Sequence, residues 1–202
     1  MYQLENVSIK GSKGNIRGKY LKQRREKSPC VLICGPLAKE NELVGNFRIS
    51  SIFKLYGGKG YNVLYFSYRG EGGSEGKFKE TFDGVEDSLD SFEWLVSKNY
   101  DSRNFSVVGI QYGSVPALEI VTRRPEIHNF LLVNPSCEHI NLNHIMNHQS
   151  SGQILIDEVH FKNTKDSVQK LKEKLEFNNT ETVRVVVVNP SLPALDLGSQ
   201  LA

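Results

Sequence analysis

Four short apolar runs restrict this chain more than any other feature. They are Cys30-Val31-Leu32-Ile33-Cys34, Tyr61-Asn62-Val63-Leu64-Tyr65-Phe66, Phe105-Ser106-Val107-Val108 and Asn129-Phe130-Leu131-Leu132-Val133. They do not alternate with polar residues, so each is expected to be a strand buried on both faces of a sheet. The segments between them carry a different period. Phe47 to Tyr56 places Phe47, Ile49, Ile52, Phe53 and Tyr56 at near-helical spacing, and Gly57-Gly58 is expected to end that helix. Asp83 to Ser97 does the same with Val85, Leu89, Phe92, Trp94, Leu95 and Val96, and Ser114 to Arg123 reads as a third helix. Strand and helix alternate at intervals of roughly thirty residues, which implies a mostly parallel sheet with helices on both faces.

The ends of the chain read differently. Leu4 to Lys10 and Ile16 to Leu21 alternate at period two around Gly11-Ser12-Lys13-Gly14-Asn15, the signature of an antiparallel hairpin. Toward the C-terminus, Gln153 to Val159 reads as a weaker strand, Asp166 to Leu175 as a helix and Val183 to Val188 as a last strand. The expected division is one domain over residues 1–188 and a tail over 189–202, where Leu192, Leu195, Leu197 and Leu201 suit docking on a partner.

Composition removes several functional classes. The 202 residues carry a net charge of +2, too little to argue by itself for nucleic acid or membrane. Three cysteines, Cys30, Cys34 and Cys137, suggest no disulfide framework. No apolar run approaches the ~20 residues that span a bilayer, and the first residues lack the pattern of a secretory signal. The expected location is a reducing compartment, and not secreted. The dense basic stretch Lys19, Lys22, Arg24, Arg25 and Lys27 reads first as a solvated loop, and more sharply as a contact for RNA or an acidic partner.

The run from Phe105 leads into Gly109-Ile110-Gln111-Tyr112-Gly113 and then a helix. A strand, a G-x-x-x-G turn and a helix form the setting of the nucleophile elbow of α/β-hydrolases, in which glycines clear space for a strained central residue. That residue is a serine in an active enzyme and Gln111 here. An amide has no proton to surrender near neutral pH and no useful nucleophilicity. The turn is therefore expected to keep its geometry without its chemistry.

The stretch Val63-Leu64-Tyr65-Phe66-Ser67-Tyr68-Arg69-Gly70-Glu71-Gly72-Gly73-Ser74-Glu75-Gly76 resembles the V-L-x-F-x-x-R-G-x-G-x-S-x-G segment of small bacterial α/β-hydrolases, the dienelactone-hydrolase-like or serine-aminopeptidase-like group. Asp87 to Trp94-Leu95 is similar to its D-x-x-x-x-x-x-W-L helix. Arg124-Pro125-Glu126-Ile127, Ser150-Ser151-Gly152 and Val168-Gln169-Lys170-Leu171 resemble later parts of it. The resemblance implies an α/β-hydrolase-like three-layer sandwich: a mostly parallel sheet, helices on both faces and an N-terminal antiparallel hairpin. It also implies a catalytic triad, and the chain departs from it at each working position. Gln111 replaces the serine. Cys34-Gly35-Pro36-Leu37 stands where the group has His-Pro-His-Pro. An ungapped match puts His160 at the acid, with Asp157 reachable by a small shift. Ala194 falls in the segment that carries the triad histidine, and no histidine follows His160. A serine triad needs nucleophile, base and orienting acid together.

Other groups offer weaker chemistry. Ser114, next to the elbow, and Cys34, at a strand end, are the alternative nucleophiles, with His128, His139 or His160 as bases. Cys137 with His139 is a further pair. His144 and His148 have the i, i+4 spacing of a helical metal pair but lack a companion ligand, so surface histidines are expected and no metal or cofactor. The loop Gly70 to Gly76 lacks the Lys-Ser/Thr of a phosphate cradle and reads as a tight loop. Asp87 and Asp90 are expected on a solvated helix face. The functional expectation is a pseudoenzyme serving as a structural or protein-interaction subunit of a larger assembly. The resembled group's alphaproteobacterial flavour suggests a mitochondrial complex of ribosomal, respiratory or ATP-synthase type, and hence a location that is mitochondrial (matrix side) or else cytoplasmic. The alternatives are a hydrolase of small esters or thioesters with an unorthodox nucleophile, and a small-molecule binder with Gln111 as the floor of its pocket.

Overall fold

The computed structural model describes residues 2–38, 49–99, 102, 104–145, 148–177 and 183–188. Eight strands form one sheet in the order β1-β2-β4-β3-β5-β6-β7-β8. They are β1 (Tyr2–Gly11), β2 (Gly14–Gln23), β3 (Cys30–Cys34), β4 (Asn62–Phe66), β5 (Phe105–Ile110), β6 (Ile127–Val133), β7 (Ser151–Asp157) and β8 (Val183–Val188). β1 pairs antiparallel with β2 and β2 antiparallel with β4; every later pairing is parallel. The helices are α1 (Ile49–Gly58), α2 (Thr81–Lys98), α3 (Ser114–Arg123) and α4 (Glu158–Phe177).

The apolar runs become the central strands because each supplies residues to both faces. Leu32, Val107, Leu132 and Ile154 pack with Phe92 and Leu95 of α2, Ile120 of α3 and Leu171 of α4. Val31, Val108, Leu131 and Leu155 lie in a second cluster with Ile52 of α1. One face of the sheet thus carries α2, α3 and α4, and the other carries α1.

Several boundaries differ from the sequence expectation. Gly57 and Gly58 do not stop α1 but form its last turn; Phe47 lies outside the described residues. The stop is Gly60, with φ of +87°: its amide donates to the Gly57 carbonyl, and the Tyr61 amide donates to that of Tyr56. This is a Schellman ending, completed by the edge-to-face contact of the Tyr56 and Tyr61 rings at 5.1 Å. β7 ends at Asp157, and Glu158 and Val159 already belong to α4, which starts eight residues before Asp166. Asp157 accepts the His160 amide at 2.8 Å and so caps that helix.

Asp87 is a further correction, since it is 2% exposed rather than solvated. Its carboxylate accepts from the Arg69 amide at 2.7 Å, from Nε at 2.9 Å and from Nη2 at 2.7 Å. Asp83 and Glu86 engage the same guanidinium, each at 3.0 Å. Asp90 is half-buried and accepts from the amide and hydroxyl of Ser12 at the hairpin tip. Glu75 accepts from the amide and side chain of Asn15 on the other side of that tip. The basic stretch is also not one loop. Lys19 and Lys22 lie in β2; only Arg24, Arg25 and Lys27 lie in the connection to β3, all of them exposed. The 189–202 tail, with its leucines, lies outside the described residues.

Candidate functional site

β5 enters the elbow as an extended strand, and the chain reverses at Gln111 with φ of +49°. Non-glycine residues adopt this conformation only at a cost. A 3-10 turn over Gln111–Gly113 leads directly into α3. The flanking glycines have steric reasons. A Cβ on Gly109 would lie 2.6 Å from Cα of Ser114 and 2.7 Å from the Gly113 carbonyl oxygen. A Cβ on Gly113 would overlap the Cys34 carbonyl oxygen at the end of β3. The elbow expected from the sequence is present in backbone and spacing.

Its side chains are engaged in packing. Gln111 is 8% exposed, and among the described residues its Oε1 has no hydrogen-bond partner. The Gln111 carbonyl accepts from the Ser136 amide at 3.3 Å. Tyr112 turns away into the α2 layer. Its ring meets Tyr68 at 5.5 Å and Phe78 at 5.7 Å, and its hydroxyl donates to the Thr81 carbonyl at 2.6 Å. Phe161 packs partly buried against the same core.

Neither alternative nucleophile is poised to react. Ser114 is 0% exposed and its hydroxyl donates back to the Gly109 carbonyl at 3.3 Å. Cys34 is equally buried, and burial pushes its thiol up to about 12, a shift that a hydrogen bond with Ser88 only partly offsets. A thiol at that value supplies almost no thiolate near neutral pH.

The acid position lies where β7 stops. Asp157 there exchanges two hydrogen bonds with Asn134 at the end of β6. Asn134 Nδ2 donates to Asp157 Oδ2 at 2.6 Å, and the Asp157 amide donates to Asn134 Oδ1 at 2.9 Å. The other carboxylate oxygen caps α4. His160, the ungapped match, lies one turn into α4, with a buried Nε2 that has no partner among the described residues. Ala194 lies outside the described residues.

Ser136 is the residue the sequence did not single out. It follows Asn134-Pro135, is buried beside the elbow, and its hydroxyl makes no hydrogen bond among the described residues. Only the pairing of β5 with β6 brings it there, so no local pattern could have flagged it.

The remaining candidates separate. Cys137 is half-buried and its thiol is pushed up to about 11, by burial first and then by Glu138. His139 faces Glu138 at 3.8 Å and is not paired with that thiol. His144 meets Glu119 at 3.1 Å, and His148 packs on the Phe130 ring at 5.9 Å. No cluster of three or more metal-ligating side chains occurs among the described residues. In the glycine loop, Gly70, Gly72, Gly73 and Gly76 all have positive φ. Ser74 donates to the Ser67 carbonyl at 2.7 Å and accepts the Arg17 amide at 2.9 Å, so the loop grips the hairpin.

With this geometry in view, the model of the X-Pro dipeptidyl-peptidase (S15 family) matches residues 19–151, from the hairpin to the start of β7. The chain belongs to this family, and thereby to the α/β-hydrolase superfamily. An uncharacterized protein of Rickettsia prowazekii (strain Madrid E) is 30% identical over 132 residues, covering 65% of this chain. The chain spans 56% of that relative's length. An α/β hydrolase of unknown function from Agrobacterium tumefaciens superposes with a TM-score of 0.82 at 23% identity, covering 98% of this chain and 93% of the other. An α/β serine hydrolase without lid from Xanthomonas campestris gives 0.77 at 17%, covering 98% and 92%. An esterase from Pyrococcus furiosus gives 0.75 at 16%, covering 99% and 92%. These likenesses establish the fold that the family shares. Among the described residues no helix is long and apolar enough to cross a membrane.

Proposed function

We propose that this member of the family is catalytically inactive and serves as a structural or protein-interaction subunit of a larger assembly. The observation that carries the reading is Gln111, an amide held at the strained position where a hydrolase of this fold presents its serine. Ser114 and Cys34, the alternative nucleophiles offered by the sequence, are fully buried, which weighs against a displaced nucleophile at either. Asp157 supports the reading too, because both its oxygens already serve the fold. The domain is residues 1–188, with 189–202 and its leucines as a docking segment. A mitochondrial assembly is the first host to examine, given the lineage of the resembled group.

A native-size measurement joined to activity-based labelling tests this. The expected result is no fluorophosphonate or iodoacetamide-type labelling in the native state, and migration far above 22.8 kDa. Labelling that disappears in Ser114→Ala or Cys34→Ala would restore the hydrolase reading of small esters or thioesters. Migration as a monomer would remove the assembly.

A further inference from the structure

A second polar site lies at the opposite end of the same strands. On the α1 face the parallel register aligns Ser106, Asn129 and Ser151 across β5, β6 and β7. The next row is Val108, Leu131, Gln153 and Arg184. One row further on, Ile110, Val133, Leu155 and Val186 are all apolar, as the interior of a parallel sheet demands. The polar rows open into a cleft of about 440 Å³, walled by Tyr56 and Tyr61 at the Schellman end of α1. That volume is in the usual range of small-ligand pockets.

Three groups in the cleft have unused capacity. Gln153 Oε1 is buried and has no partner among the described residues. Ser106 is 4% exposed, and its hydroxyl makes no hydrogen bond among them. Arg184 is exposed, with no ion pair among them. An orphaned buried acceptor ordinarily costs stability, so the fold gains nothing by placing one there. Lys59 adds a second cation at the mouth, and among the described residues no carboxylate lines the cleft.

We propose that this cleft binds a small phosphate ester of the nucleotide class. The phosphate is held by Arg184 and Lys59, and the N–H groups of the ring satisfy Gln153 Oε1. The tyrosine edge forms the wall beside the ring, while Ser106 and Asn129 offer further hydrogen bonds. A guanidinium suits a phosphate because its fork of donors matches paired oxygens. The site is separate from the elbow, since Ser106 stands near the start of β5 and Gln111 follows its end.

Calorimetric titration of the full chain with adenosine monophosphate tests it, with inorganic phosphate, adenosine and a single-stranded oligonucleotide run alongside. The expected result is saturable one-to-one binding of the monophosphate, with phosphate and adenosine each weaker by about tenfold or more. Arg184→Ala should weaken the monophosphate by about tenfold or more, with Arg184→Lys recovering part of it. Gln153→Leu should reduce affinity for adenosine and leave that for phosphate unchanged. Lys59→Ala provides a second reading of the anion end if Arg184→Ala fails to fold. Absence of saturable monophosphate binding would overturn the proposal. So would binding indifferent to both cation variants, or oligonucleotide binding as tight per phosphate as that of the monophosphate, which would indicate a general polyanion surface.

Discussion

The elbow and the cleft each contain a glutamine with an unpartnered Oε1, and the surroundings of the two differ. Gln111 is buried between Gly109 and Gly113, which pack too closely against the start of α3 and the end of β3 to admit a Cβ. Gln153 lies on a floor whose neighbours are Ser106, Asn129 and Arg184, open toward solvent. At the first site, the elbow backbone of the fold persists around an amide side chain. At the second, the buried Ser106 and the half-buried Gln153 are joined by the exposed Asn129 and Arg184. Under the two proposals above, the strained backbone no longer marks the working site, and the polar rows do.

The comparison can be broken most severely at Gly113. Gly113→Val drives a branched side chain into the Cys34 carbonyl, and we expect loss of folded protein, at a cost of about 3 kcal/mol or more, read by circular dichroism. A folded Gly113→Val protein would show the elbow to be pliable. Arg69→Met comes next. It strands the buried Asp87 carboxylate, for an expected loss of about 3–5 kcal/mol in denaturant titration; the double change with Asp87→Leu should recover most of it.

The same cluster sets a pH dependence. Burial by itself would raise Asp83, but amides of Lys79 and Glu80, with Arg69 beside it, hold its carboxyl below the ordinary value. A depressed folded-state value contributes stability above the unfolded value of about 3.9. That contribution disappears as pH falls through the folded value. The stability deficit of Arg69→Met relative to the parent should therefore be largest near neutral pH and narrow as pH falls, because the parent loses the Asp83 contribution and the stranded Asp87 is neutralised by protonation.

Smaller effects sharpen the contrast between the two glutamines. Gln111→Gly relieves the positive φ and removes the orphaned acceptor, so a gain of about 1 kcal/mol is expected if the residue serves only the turn. Gln153→Leu should gain a similar amount in the absence of ligand. A loss of stability in both variants would show the unpartnered oxygens to be satisfied in solution. Smallest is the thiol chemistry. Native protein with iodoacetamide at neutral pH should leave both Cys34 and Cys137 unmodified, as mass spectrometry of the peptides would report.

The central strands and the elbow were legible because their signals are local. A continuous apolar run needs no partner to be recognised, and Gly109 and Gly113 flank Gln111 within five residues. The first half of α4 was not legible because residues 158–165 bury none of their side chains fully, so no apolar stripe marks them. Asp87 was misread for a related reason. A carboxylate on a helix suggests solvent until Arg69 is placed opposite it. The cleft left no trace at all, since Ser106, Asn129, Gln153 and Arg184 lie on four strands. Only the register brings them together.

The hairpin tip has a consequence for the order of synthesis. β1 and β2 leave the ribosome before the residues that hold them: Ser12 and Asn15 are held by Asp90 and Glu75, and β2 takes its sheet position from β4. Until then the hairpin has an open edge and an unsheltered apolar side. The hairpin is thus made before it can be secured, and that interval gives a nascent-chain chaperone time to act on it.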